Sequence, residues 1–272
     1  MTDHYAVVGN PVAHSRSPQI HAEFARQTAQ DMDYIRLLAP RDGFAADVAA
    51  FHARGGRGVN VTLPFKVDAF RFATRHSERA QQAQAVNTLK FESGQAFGDN
   101  TDGAGLVRDI EDNLGFAVAG KRVLLMGAGG GARGVLLPLL ERKPARLVIA
   151  NRTPGKALAL AHHFARWENC AGTGYPDLAG MQFDIVINAT SASVSGEVPP
   201  LPAGIFAPDS FAYDMMYSRE PTPFMRFSRA HGAARAADGI GMLVEQAAES
   251  FLVWRGVRPE TAPVIAMMKR EA

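Results

Sequence analysis

The sequence predicts an α/β fold made of two α/β domains, in which a doubly wound parallel sheet fills most of the second half and is inserted in a smaller α/β domain. Three observations predict it. Short β-prone runs alternate with helix-length stretches along the whole chain. Residues 121–140 read strand, glycine turn and helix in one continuous run. The 272 residues, 47% of them hydrophobic, are enough for a substantial core divided between two domains.

In chain order, residues 4–9 (HYAVVG) form a strand that Gly9 and Pro11 stop, and the loop NPVAHSRSP leads to a helix beginning near Pro18. Ser15 and Ser17 stand just ahead of it. N-capping accounts for one serine and is the favoured reading on the residues alone. Two hydroxyls beside open helical N–H groups at the end of a strand also suit a small carboxylate. A strand at 34–38 precedes a helix over about 43–54, closed by Gly55, Gly56 and Gly58. In GVNVTLPFK, residues 59–62 make a short strand and Pro64 reads as the first helical residue, which puts Lys66 in the first turn. The helix dipole disfavours a cation there. An ordinary surface lysine tolerates this at modest cost, whereas a lysine that must pass a proton back and forth gains from it. A helical stretch over 67–83 is followed by AVNTLKFESGQAFGDNTDG, a hairpin about Ser93-Gly94 with a polar exit. Asn87 opens the hairpin. Asp102 lies in its exit, where it N-caps a helix over about 103–114, points a carboxylate into a cleft, or does both.

The run KRVLLMGAGGGARGVLLPLL follows. Val123 to Met126 are apolar, as in a strand buried on both faces. Gly127, Gly129 and Ala132 then fall on G-x-G-x-x-G/A, which brings a dinucleotide pyrophosphate against a helix N-terminus. A bare glycine turn has the same look, so the next strand, Arg146 to Ala150, decides. It ends in Asn151, Arg152 and Thr153, where an NAD site places an acid for the ribose 2′-hydroxyl. No acid is present, and Arg152, Thr153 and nearby Lys156 offer a pocket for a 2′-phosphate, so the residues favour NADP over NAD, and a cofactor pocket over a merely solvated basic turn. A helix from Lys156 to about Trp167, a strand at 183–190, a Pro- and Gly-rich loop over 195–208, a strand at 211–215 leading to Tyr217, and a helix near 222–230 complete a Rossmann-type unit. Gly239 and Gly241 precede an apolar-periodic helix over 242–254 that carries Gln246, and a last helix runs from about Pro259 to Lys269. The first half needs these last helices to cover its sheet. The expected domains are therefore 1–101 plus 240–272, with 102–239 inserted, and the helices at 103–114 and 242–254 join the lobes and flank the cleft.

Composition narrows the function further. A net charge of +2 with acids and bases interspersed argues against nucleic acid and polybasic membrane contact, and the pI of 8.8 reflects a small excess of bases. One cysteine, Cys170, reads as a small buried or half-buried thiol and favours a reducing cytoplasm. The chain enters a strand at once, without a signal peptide pattern, and holds no apolar run long enough to span a bilayer. The eight histidines lack metal-ligand spacing.

GNPVAHSRSP, NVTLPFK, AVNTL, GDNTDG, GAGGGAR, NRTPGK, FDIVINATS, YDMMY and ADGIGMLVEQA resemble, in this order and across nearly the whole chain, the motifs of the shikimate dehydrogenase family. The resemblance implies NADP-dependent interconversion of 3-dehydroshikimate and shikimate, small molecules both, by a monomer or homodimer. It implies Lys66 and Asp102 as catalytic residues and Ser15 and Ser17 on the substrate carboxylate. Thr62, Lys66, Asn87, Asp102, Tyr217 and Gln246 are placed around the ring. For the cofactor it implies Gly127, Ala128, Gly129, Gly130 and Gly131, then Asn151, Arg152, Thr153 and Lys156, with Met215, Gly239 and Glu78. The chain departs from the usual pattern at Gly131, where alanine is common, and at Ala192 and Ser193 in NATSASVSG. The competing readings are a quinate/shikimate dehydrogenase using NAD and a non-catalytic NADP-binding regulator, which would have no need of Lys66 and Asp102.

Overall fold

The computed structural model describes residues 2–190, 192 and 196–271, so Ser193 and Ser195 lie outside the described residues. The chain folds as two compact units, Met1–Gly105 with Leu243–Met267, and Leu106–Met242 with Met268–Ala272. The first two boundaries fall a few residues away from the expected 101/102 and 239/240, and 268–272 falls with the second unit where the first was expected.

The first unit holds β1 (Asp3–Gly9), α1 (Ser17–Thr28), β2 (Met32–Leu38), α2 (Phe44–Ala53), β3 (Gly56–Val61), α3 (Lys66–Phe72), β4 (Arg75–His76), α4 (Glu78–Ala83), β5 (Thr88–Glu92) and β6 (Gln95–Asp99). Its sheet order is β2-β1-β3-β5-β6-β4, with β1, β2 and β3 parallel, β5 antiparallel to both β3 and β6, and β4 parallel to β6. Several expectations are corrected here. Gly56 and Gly58 belong to β3 rather than to the turn before it, because close packing requires glycine there: a Cβ on Gly58 would lie 2.6 Å from the carbonyl oxygen of Leu89. Pro64 precedes α3 instead of starting it, and Phe65 is the residue before the first turn. The expected helix over 67–83 is two helices around the short β4, since Ser77 N-caps α4 by accepting from the Ala80 N–H.

The second unit begins within α5 (Asp102–Arg108), which continues as a π-helical turn, Asp109–Asn113, where a single α-helix to 114 was expected. Then come β7 (Arg122–Met126), α6 (Gly130–Glu141), β8 (Arg146–Ala150), α7 (Pro154–His163), β9 (Cys170–Thr173), β10 (Phe183–Asn188), β11 (Phe206–Asp214), α8 (Pro223–Ala230) and β12 (Arg235–Ala237). α9 (Ile240–Arg255) and α10 (Ala262–Glu271) close the chain. The sheet order β12-β11-β10-β7-β8-β9, all parallel, is the doubly wound Rossmann order 3-2-1-4-5-6 read from the other end. Edge strands β9 and β12 went unread in the sequence because CAGT and RAA are short and carry no run of β-branched residues. β11 begins at Phe206, within the stretch expected to be loop, and α7 starts at Pro154 instead of Lys156. Among the described residues no helix is long and apolar enough to cross a membrane.

Each sheet buries both faces. In the first unit Ala6, Val8, Val59 and Val61 face Phe44, Val48, Phe51 and Phe65 of α2 and its neighbours. The alternate residue Tyr5 turns to the other face and meets Trp254 of α9 at 4.7 Å between ring centroids, in keeping with the two-residue period of a strand. In the second unit Val123, Leu125, Ile149 and Ile187 pack with α5, α6 and α7, while Leu124, Met126, Val148 and Val186 pack with Phe224 of α8.

Candidate functional site

In the first unit the topology gathers four segments at one edge of the sheet. β1 and β3 both end there, and antiparallel β5 begins there beside the end of β3. β6 returns to the same edge. Backbone bonds stitch them together: Thr62 N to Val8 O at 2.9 Å, Val61 N to Asn87 O at 2.7 Å, and Asn87 N to Asp99 O at 3.0 Å. The chain leaves β1 toward β2 on one side and returns to β3 on the other, so this edge is a switch point of the kind where open α/β sheets bind ligands.

Lys66 is the first residue of α3 and Asp102 the first of α5. The Lys66 ammonium donates to Asp102 Oδ2, and the two side chains are only 16% and 6% exposed, so little water screens the pair. Asp102 Oδ1 accepts from Asn87 Nδ2 at 2.9 Å. The capping reading of Asp102 is thereby corrected, since both carboxylate oxygens are turned to side chains of the pocket. Asn87 Nδ2 also reaches Thr101 Oγ1 at 2.8 Å and Gln246 Oε1 at 3.3 Å, while its Oδ1 accepts from the Thr101 N–H at 2.8 Å. The segment before Asp102 is pinned as well. Asn100 Oδ1 accepts from the Asp102 N–H at 3.2 Å, and Arg79 grips Asp99 through Nε and Nη2 at 2.7 and 2.6 Å. Burial works against the Asp99 charge, but the hydrogen bonds and charge of Arg79 outweigh it and hold that carboxyl below its ordinary pKa.

Ser15 and Ser17 lie in the loop after β1 and at the start of α1. The cap reading holds in part: the residue before the helix is Arg16, which makes no side-chain cap bond, but Ser15 Oγ, one residue further out, accepts from the Ser17 N–H at 3.3 Å and also donates to Ser17 Oγ at 3.2 Å. Thr62 directly follows β3 and is half-buried. Glu78 is exposed in the first turn of α4, where an acid suits the helix dipole, apart from the cluster around Asn87. Thr101, Arg79 and Asp99 were not singled out from the sequence, although Thr101 and Asp99 sit inside the polar exit GDNTDG.

In the second unit Gly127 follows β7 with φ of 111°, a conformation that favours glycine, and a Cβ there would come within 3.0 Å of Ala189 O. Its N–H donates to Ala150 O at 2.8 Å, which ties the glycine turn to the end of β8 and so to Asn151 and Arg152. Gly129 precedes the first turn of α6, no side chain caps that turn, and the space beyond Gly129 is open. A pyrophosphate fits such an uncapped helix start. Ala128, Gly130 and Gly131 complete the turn, and a Cβ on Gly131 would lie 3.6 Å from Met215 Cε, so Met215 borders it. A Cβ on Gly239 would collide with the carbonyl of Met215, which fixes Gly239 beside the same residue. Arg152, Thr153 and Lys156 are exposed at the end of β8 and in the first turn of α7, as a 2′-phosphate site requires. Tyr217 is half-buried in the loop after β11.

These features define an α/β protein with a dinucleotide-type turn in one unit and, in the other, an enclosed ammonium–carboxylate pair among neutral hydrogen-bonding side chains. Three family models match: "Shikimate dehydrogenase substrate binding domain" over 7–89, "Shikimate / quinate 5-dehydrogenase" over 109–195 and "Shikimate 5'-dehydrogenase C-terminal domain" over 239–268. The chain belongs to the shikimate dehydrogenase family. It is 62% identical over 269 residues to the shikimate dehydrogenase (NADP(+)) of Nitrosospira multiformis, covering 99% of this chain and 98% of that one. It is 50% identical to the Ael1 enzyme of Pseudomonas putida, with a TM-score of 0.90 and 98% of each chain covered. The shikimate 5-dehydrogenase of Thermus thermophilus, solved with NADP(H) and shikimate, is 31% identical with a TM-score of 0.88 and 100% of each chain covered.

Proposed function

We propose that this chain catalyses the reversible NADPH-dependent reduction of 3-dehydroshikimate to shikimate, on the route to aromatic amino acids. The observation that carries the reading is the enclosed Lys66–Asp102 pair at the switch-point edge, with Asn87 fixing the carboxylate. NADP would be held by Gly127 to Gly131, by Asn151, Arg152, Thr153 and Lys156, and by Met215 and Gly239, and when bound it supplies the exchange of a hydride with the substrate. Glu78 joins this set on the resemblance alone. In reduction, protonated Lys66 donates to the developing alkoxide and stabilises its charge; in oxidation, neutral Lys66 accepts the hydroxyl proton. Asp102 orients the ammonium. Ser15 and Ser17 take the carboxylate, and Thr62, Asn87, Tyr217 and Gln246 pair with ring hydroxyls, so an isomer that misplaces a hydroxyl leaves polar groups unpaired.

A reducing cytoplasm is the compartment this reading assigns, consistent with a single half-buried cysteine, Cys170, whose thiol burial pushes up to about 11. The test is the near-ultraviolet absorbance of reduced nicotinamide, crossing shikimate and quinate against NADP and NAD. Formation of NADPH from shikimate, with quinate and NAD poor, is expected. Preference for quinate with NAD would establish the first competing reading, and no turnover in any combination would establish a binding protein.

A further inference from the structure

Between α1, β2, β3 and α9 the first unit contains a buried polar spine that the proposed chemistry does not use. Asn60, on β3 and 6% exposed, is its centre. Asn60 Oδ1 accepts from the Tyr34 hydroxyl at 2.7 Å, and Asn60 Nδ2 donates to Ser250 Oγ at 2.9 Å and to Thr88 Oγ1 at 3.2 Å. Thr88 Oγ1 in turn donates to Asn87 Oδ1 at 2.9 Å, and Asn87 holds Asp102. At the other end, the Ser17 side chain hydrogen-bonds the same phenol oxygen of Tyr34, and Ser17 accepts from Ser15. One hydrogen-bonded path therefore runs from the serine pair through Tyr34 and Asn60 to Asn87, Asp102 and Lys66.

The Tyr34 ring is held independently of its hydroxyl. It stacks on the fully buried His21 ring with centroids 4.3 Å apart and planes 8° from parallel, and His21 Nε2 lies 3.2 Å from Asn60 Oδ1. The phenol is thus a rotatable proton on a fixed ring, placed where it can give to Asn60 while leaving the Ser17 hydroxyl a partner that an anion can replace. In addition, the Arg36 guanidinium grips Ser15 O at 2.9 and 2.6 Å, which holds the loop on the far side of the serines.

We propose that Tyr34 is a positioning and specificity residue for the carboxylate end of the substrate: it aims the Ser17 hydroxyl and, through Asn60, sets the distance between the carboxylate-binding serines and the Lys66–Asp102 pair. This rests on the function proposed above, in which the serines receive a carboxylate. When the acid arrives the Ser17 proton turns to the carboxylate and the rotatable Tyr34 proton can turn to Ser17 Oγ, so the Ser17 hydroxyl stays aimed and polarised toward a charge, which strengthens its bond to the acid more than to a neutral ester.

The experiment measures wild type and Tyr34→Phe with shikimate and with its methyl ester, together with Ser17→Ala and the double variant. Tyr34→Phe keeps the ring stack and removes only the hydroxyl. For the acid, KM is expected to rise about tenfold with kcat changed much less, the size of the hydrogen bond from Ser17 to the charged carboxylate that Tyr34 no longer aims. The ester should lose at least about fivefold less, and in the Ser17→Ala background the effect of Tyr34→Phe on the acid should disappear. Equal losses for acid and ester, or additivity with Ser17→Ala, would overturn the proposal, as would a fall in kcat with KM unchanged. Wild-type protein that forms no NADPH from shikimate would instead refute the function itself.

Discussion

His21 provides a prediction whose size follows directly from its surroundings. The imidazole is fully buried, and its ring contacts are Phe24, Tyr34, Phe251 and Trp254, none charged at neutral pH. Nε2 faces Asn60 Oδ1, while Nδ1 has no hydrogen-bond partner among the described residues. Burial, opposed only by the Asn60 hydrogen bond, brings the pKa down from 6.5 to about 3. Between those values the unfolded chain binds a proton that the folded chain refuses, so stability is complete above about pH 6.5 and falls as pH is lowered toward 3. The slope is about 1.4 kcal/mol per pH unit, and the full span is worth about 5 kcal/mol. Carboxylates that folding also shifts, Asp99 and Glu23 downward and Asp238 upward, titrate alike in wild type and in a variant lacking the imidazole, so the difference between the two over the window from 6.5 to about 4.5 isolates His21. His21→Phe preserves a ring against Tyr34 and cannot take up the proton. Urea midpoints would be read from Trp254 emission in a Trp167→Phe background, a change that also removes a buried indole N–H without a partner among the described residues. Over that window wild type should lose stability relative to His21→Phe by about 2–3 kcal/mol. Parallel pH profiles for the two proteins would refute the reasoning.

Lys66→Ala should lower kcat by ~10²–10⁴-fold with shikimate binding retained in a direct titration, and turnover within about tenfold of wild type would remove the acid-base role. Arg152→Ala should raise KM for NADP by roughly ten- to a hundredfold and leave that for NAD nearly unchanged, because only NADP carries the 2′-phosphate; equal changes for both cofactors would place Arg152 elsewhere. Gly58→Ala drives a Cβ to 2.6 Å from both Leu89 O and Trp254 Nε1, atoms that are themselves hydrogen-bonded at 3.0 Å, and should cost about 1–3 kcal/mol in a urea titration. An unchanged midpoint would mean that β3 and α9 do not pack as described.

The elements that could be read in advance are those whose cause is local. The strand, glycine turn and helix of 122–141 announce themselves because the turn needs a residue with positive φ at Gly127, and the hairpin at Ser93-Gly94 because both residues adopt positive φ, 51° and 74°. What stayed hidden depends on distant partners. Gly56 and Gly58 look like turn residues until the Phe51 ring and the Trp254 indole are brought against them. β4, β9 and β12 exist because a neighbouring strand offers a ladder, with little preference in RH, CAGT or RAA to suggest it.

The same division separates the parts of the site. The glycines and the arginine of the second unit follow one another within a βαβ segment, so spacing along the chain is already spacing in space. Lys66 and Asp102 are 36 residues apart and meet because β5 leaves the edge where β3 ended and β6, turning back on β5, returns the chain to it. Asn87 stands just before β5, beside the end of β6, which is why a single carboxamide can hold the Asp102 carboxylate, the Thr101 backbone and Gln246 of α9 together. The serines were legible only in part for the converse reason. A serine before a helix is an N-cap when the backbone has no better option. Here Arg16 occupies the position before the helix, Arg36 from β2 takes the Ser15 carbonyl, Ser15 Oγ takes the Ser17 N–H from one residue further out, and the two hydroxyls meet each other and the buried path that leads toward Lys66.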